Sequence, residues 1–134
     1  MATFPLKIVC PDGNKFEGQV QQLTVRTSTG EMGILARHTN CVAPLGMGRA
    51  TIVTEEGTRH GACMGGLVSV LDGEATIVCT TFEWANEIDL SRAKRSMAKA
   101  KTVLDNKNSS SADLRLAEAR LRRALIRKNV ASYK

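Results

Sequence analysis

Six basic residues in the last third of the chain have the spacing needed to hold an anion. Arg92, Arg95 and Lys99 fall at i, i+3 and i+7, and Arg120, Arg123 and Arg127 repeat the step. Each trio shares one face if its segment is helical. An antiparallel helix pair closing near Asn108 sets Arg92 opposite the 123–127 region, so Arg92, Arg123 and Arg127 converge. Guanidinium groups brought together repel unless an anion lies between them, and phosphate matches the planar fork. The competing reading is a solvated helix face. Other chemistry is sparse. His60 alternates within a strand pattern and reads as structural, while His38 lies near the end of the stretch TGEMGILARHTN, Thr29–Asn40. The four cysteines (Cys10, Cys41, Cys63, Cys79) sit far apart inside apolar stretches without a C-x-x-C, as small buried hydrophobes do. GMGRAT, Gly46–Thr51, lacks the third glycine of a dinucleotide fingerprint and precedes a strand pattern. With no phosphate-loop, zinc-protease or nucleophile-elbow motif, a non-enzyme without a metal or a required cofactor is expected.

Two different grammars must position these groups. Residues 1–84 carry 6 Lys/Arg against 8 Asp/Glu, and residues 85–134 carry 13 against 5, so a net charge of −2 is followed by +8. All 11 glycines precede residue 74. The first 84 residues alternate apolar and polar in short runs: LKIVC, KFEGQV, QLTVR, ATIV, RHGACM, LVSVL and ATIVC. Turn formers separate the runs every 8–12 residues, roughly the rhythm of a β-sandwich or barrel. Asp72-Gly73 between LVSVL and ATIVC is a strong hairpin signal. From Asp89, a candidate N-cap, the period changes. Leu90, Ala93, Met97, Ala100 and Leu104 form one helix stripe, and Leu114, Ala117, Leu121 and Leu125 form another, with Ser111 a candidate cap. DNKNSSS, Asp105–Ser111, breaks the two apart. The expected architecture is α+β: a β-sandwich or barrel over 1–84, then an antiparallel two-helix hairpin over 85–134. Alanine in both stripes lets the helices lie close, and so small a hairpin is marginal alone.

A basic half calls for an acidic partner. Single-strand and RNA binders add aromatic stacking platforms, and no aromatic residue lies between Trp84 and Tyr133. A basic RNA- or anionic-lipid-binding module and a free-standing nucleotide sensor are the alternative readings. The N-terminal stretch MATFPLKIVC shows no basic start followed by an apolar region, so no secretory leader is expected.

Taken together, the chain resembles the epsilon subunit of the F-type ATP synthase over nearly its whole length. GEMGILARH, Gly30–His38, is similar to the family's glycine–acidic–apolar–glycine–Ile/Val–Leu–Pro–Gly–His signature, with Ala36-Arg37 in place of Pro-Gly. APLGMG at 43–48, GGLVSV at 65–70 and IDLSRA at 88–93 resemble its further segments. The resemblance implies a non-catalytic central-stalk subunit that couples ion flow to ATP synthesis, bound to the gamma subunit and the membrane rotor ring. That places it on the cytoplasmic face of the cell membrane through the complex, without nucleic acid. It implies rotor-ring contact at Glu31, Met32 and Gly33, set outward by two turn glycines, and gamma contact near His38. It also implies inhibition of ATP hydrolysis by the hairpin, for which Arg115, Arg120, Arg122 and Arg123 are the expected docking residues on the alpha and beta subunits. ATP is the expected regulatory ligand. Glu83, Asp89 and Arg92 match the family's ATP-binding positions, Lys99 stands where relatives carry arginine, Ile88 and Ala93 offer apolar contact, and Arg123 and Arg127 complete the phosphate clamp.

Overall fold

A computed structural model of the chain describes residues 2–133. The chain divides after Trp84 into two compact units.

The first unit contains eight strands: β1 (Phe4–Cys10), β2 (Gly13–Val20), β3 (Gln22–Thr27), β4 (Gly30–Leu35), β5 (Cys41–Thr54), β6 (Gly57–Leu71), β7 (Glu74–Cys79) and β8 (Phe82–Trp84). They hydrogen-bond in the order β2-β1-β7-β6-β5-β3-β4, with β8 also on β6. Each pairing is antiparallel except β1–β7. Alternation buries one face. Leu6, Ile8, Leu23, Val25, Ile34, Ile52, Val68 and Ile77 are sealed in a single core, joined by Cys10, Cys63 and Cys79. All four thiols are free, and Cys41 is half-buried. The core forms a β-sandwich, as the alternation predicts. Asp72 and Gly73 both take positive φ, 49° and 83°, in the β6–β7 turn, the left-handed geometry that a two-residue hairpin demands.

The long strands depart from the sequence reading. RHGACM and LVSVL run as separate short strands in the pattern, yet both belong to the 15-residue β6. The glycines between them bend the strand instead of ending it. Gly66, at φ 133°, lies so close to the Val78 carbonyl that a Cβ there would overlap it. Before this bend β6 pairs with β8, and after it with β7.

The second unit holds a short 3-10 turn (Ala85–Glu87) and two helices, α1 (Leu90–Asp105) and α2 (Ser111–Ala131). Asp89 caps α1 as expected, its carboxylate accepting the Arg92 N–H at 3.0 Å. The α2 cap is Ser110, one residue before the expected Ser111, with its hydroxyl accepting the Asp113 N–H at 3.1 Å. The seam is made of alanine. Ala93 and Ala100 are buried on α1, and Ala117, Ala124 and Ala131 on α2, each set repeating every seven residues. The leucines expected in the stripes flank this seam: Leu114, Leu121 and Leu104 are half-buried, while Leu90 and Leu125 are exposed. A seam of small side chains lets the backbones approach and leaves the larger ones outside it.

Candidate functional surfaces

Glu31, Met32 and Gly33 lie on β4, an edge strand of the sheet. The β3–β4 turn is tied by Thr27, whose hydroxyl donates to the Gly30 carbonyl at 2.8 Å and accepts the Thr29 N–H at 3.3 Å. Only Gly30 of the two glycines has positive φ; Gly33 is an ordinary strand residue paired with Thr24. Strand alternation therefore separates Glu31 from Met32. Glu31 is exposed, whereas Met32 is half-buried against the core beside Ile34. The expectation that both project outward holds for Glu31 alone, because period-two geometry sends neighbours to opposite faces.

Beyond β4 the His38 N–H donates to the Leu35 carbonyl at 3.2 Å, closing a turn with Ala36 and Arg37 at its centre. Arg37 sits at φ 67°. That is the third position of a turn, where glycine is favoured for its freedom at positive φ. The Ala36-Arg37 departure thus preserves the turn and places a β-carbon in a left-handed site. His38 Nδ1 lies 2.8 Å from the Thr39 carbonyl and 3.9 Å from the Cys41 sulfur.

A surface that the sequence reading passed over begins next to this turn. On the outer side of four adjacent strands, Pro44 of β5, Leu67 of β6, Val78 of β7 and Val9 of β1 are cross-strand neighbours in one row. Val42 stands one step and Leu71 two steps along the same face. Val42 is 71 % exposed and Val78 53 %. The signal was present in the chain: Val9, Leu67 and Val78 fall on the outward half of the alternation, where polar residues are the rule. On the same unit, His60 hydrogen-bonds with Thr51 Oγ1 at 3.2 Å, and burial, followed by nearby Arg49, holds its pKa below the usual imidazole value.

The hairpin has two unlike sides. Helical spacing puts Arg92, Ser96, Lys99 and Val103 on one side of the α1 seam, and Asp113, Leu116, Arg120, Arg123 and Arg127 on one side of the α2 seam. Ser96, Lys99 and Val103 line a groove of about 600 Å³ together with Asp113, Leu116 and Arg120, over a floor of Ala100 and Ala117, and Asn106 and Ser109 close its end. Lys99 and Arg120, which the sequence assigned to different sites, therefore share one groove. Further along that side come Arg92, exposed, and Arg123 and Arg127, half-buried. Arg115 and Arg122 are exposed seven residues apart on the outward face of α2, so the four expected docking arginines divide between two faces. Ile88 and Ala93 are buried and Asp89 is exposed. Glu83 is half-buried on β8 and belongs to the first unit. No group of three His, Cys, Asp or Glu among the described residues could hold a metal ion, and no described helix is long and apolar enough to cross a membrane.

Residues 3–85 match the family described as ATP synthase, Delta/Epsilon chain, beta-sandwich domain, and residues 86–132 match its long alpha-helix domain. The chain belongs to the ATP synthase epsilon-chain family. It is 37% identical to the ATP synthase epsilon chain of Bacillus mycoides over 134 residues, covering all of both chains. It is 39% identical to that of Bacillus pumilus over 131 residues, 98% of each. Among solved structures, it superposes on a chain of the Euglena gracilis mitochondrial ATP synthase with TM-score 0.83 at 24% identity, covering all of this chain and 83% of that one. A chain of the Tetrahymena thermophila enzyme gives 0.67 at 13%, with 95% of each covered. These two likenesses concern the fold. As a member of the epsilon-chain family, the protein is a non-catalytic subunit.

Proposed function

We propose that the chain is the central-stalk epsilon subunit of an F-type ATP synthase, coupling ion flow to ATP synthesis at the cytoplasmic face of the cell membrane. The observation that carries this reading is the apolar row Pro44–Leu67–Val78–Val9, with Val42 beside it, on a chain of this family. A row of aliphatic side chains across four strands favours a protein partner, and the partner of this reading is the gamma subunit, with His38 at the row's margin. Glu31, on the edge strand, is the contact to the rotor ring. The basic hairpin supplies two further roles: docking on the alpha and beta subunits to restrain ATP hydrolysis, and binding ATP as a regulatory ligand.

The test is reconstitution with gamma. Leu67→Asp with Val78→Asp puts two carboxylates in a face that must become dry. A loss of affinity of at least ~100-fold is expected, since burying an unpaired charge costs several kcal/mol, with the chain still folded. Unchanged binding to gamma would remove the row from the interface. ATP is tested by calorimetry on the chain. Charged hydrogen bonds contribute about 1.5–3 kcal/mol each, so Arg92→Ala is expected to weaken binding roughly 10–100-fold. Equal binding of ATP and inorganic phosphate would defeat nucleotide recognition.

A further inference from the structure

Three of the four thiols lie in the core of the first unit, where Cys79 is hydrogen-bonded to both Cys63 and Cys10. Cys63 Sγ is 3.4 Å from Cys79 Sγ, although 16 residues separate them in sequence. The bend in β6 brings them together. Cys63 still pairs with Phe82 of β8, whereas Gly66, three residues later, pairs with Cys79 at the end of β7. Two backbone bonds clamp the corner: Met64 N–H to Thr81 carbonyl at 3.0 Å, and Thr80 N–H to Gly65 carbonyl at 3.1 Å. Thr80 and Thr81 are exposed, so the corner beside the pair lies at the surface.

We propose that Cys63 and Cys79 are a redox modification site that closes to a disulfide under peroxide and stiffens the corner leading from β7 into β8. A disulfide places the sulfurs roughly 2.05 Å apart, so rotation of two side chains must draw them in by a little over an ångström. The two thiols are not equivalent. The hydrogen bond with Cys79 holds the Cys63 thiol below its usual pKa, and the same bond pushes Cys79 up. Cys63 is therefore the attacking sulfur. Its thiolate takes one oxygen from hydrogen peroxide, giving a sulfenic acid and hydroxide. The Cys79 sulfur then attacks the sulfenic sulfur, the S–S bond forms, and water leaves with the Cys79 proton. In total, two thiols lose two electrons and two protons, and one peroxide becomes two waters. Cys10 is also bonded to Cys79, but burial pushes its thiol up, so it stays reduced.

The experiment treats the full chain with hydrogen peroxide in a Cys41→Ala background, then alkylates under denaturing conditions and maps the peptides. The expected result is a mass loss of two hydrogens, a peptide linking Cys63 to Cys79, an alkylated Cys10 and full reversal by dithiothreitol. Closing this loop should raise the melting temperature of the first unit by roughly 10 °C or more. Cys63→Ala and Cys79→Ala should each abolish the mass loss and the shift. If either variant fails to fold, peptide mapping of the parent decides alone. Three reduced thiols in the peroxide-treated Cys41→Ala chain, a Cys10–Cys79 link, or stepwise oxygen addition without a link would each overturn the proposal.

Discussion

Replacing Arg37 with glycine should stabilise the first unit. Arg37 holds φ 67° in the turn closed by His38 N–H and the Leu35 carbonyl. Its side chain is exposed and has no hydrogen bond or ion pair among the described residues. A β-carbon in the left-handed region costs ~1–2 kcal/mol, and glycine returns ~0.5–1 kcal/mol of that through its freer unfolded chain. The net gain expected is therefore ~0.5–1 kcal/mol. Trp84, the one tryptophan, reports the melt of this unit, because it is buried edge-on against Phe82 at 4.9 Å and Phe16 at 6.1 Å. With a urea slope of about 1–2 kcal/mol/M, the midpoint should rise by roughly 0.3–1 M at unchanged slope. Arg37→Ala is the control, since it removes the charge and keeps the strained β-carbon. If Arg37→Gly melts no later than Arg37→Ala, the left-handed backbone is not the source of the cost.

Other substitutions probe other links. Gly66→Ala puts a β-carbon into the Val78 carbonyl at φ 133°; the unit should lose upwards of ~3 kcal/mol, and a Trp84 melt at the parental midpoint would contradict the bend geometry. Asp89→Ala and Ser110→Ala should each lower helical signal in far-ultraviolet dichroism and cost the hairpin ~1 kcal/mol, and additive losses in the double variant are expected because the two caps serve different helices. Unchanged helicity in the double variant would show that the seam, and not the caps, holds the ends.

The legible parts of the fold were those governed by near neighbours. Alternation exposed the inward set from Leu6 to Ile77, Asp-Gly marked the β6–β7 turn, and Asp89 marked the start of α1, because each depends on residues a few positions apart. The bend at Gly65–Gly66 looks like a break in the sequence, since the same glycines serve either outcome and only the distant Val78 decides between them. The parallel β1–β7 pairing left no local trace. In the hairpin, the stripe is plain in the spacing but its weight is not: the leucines promise burial, and the alanines between them take the seam. Of the candidate surfaces, the basic trios were plain from spacing, and Met32 was misplaced because two glycines suggested a turn where one of them was extended strand. Val9, Leu67 and Val78 carry no separate mark in the sequence, because an apolar residue in a strand has the same signature whether it faces the core or a partner.

The parallel pairing of β1 with β7 also sets a schedule for synthesis. Val9 lies beside Val78, so the first strand leaves the ribosome long before its partner exists. At 5–20 residues per second, the roughly 70 intervening residues take about 3–14 s to make. Through that interval β1 has only β2 beside it, and one backbone edge of the nascent hairpin stays open to solvent and to neighbouring chains. A slow codon run anywhere between these strands would lengthen the exposure.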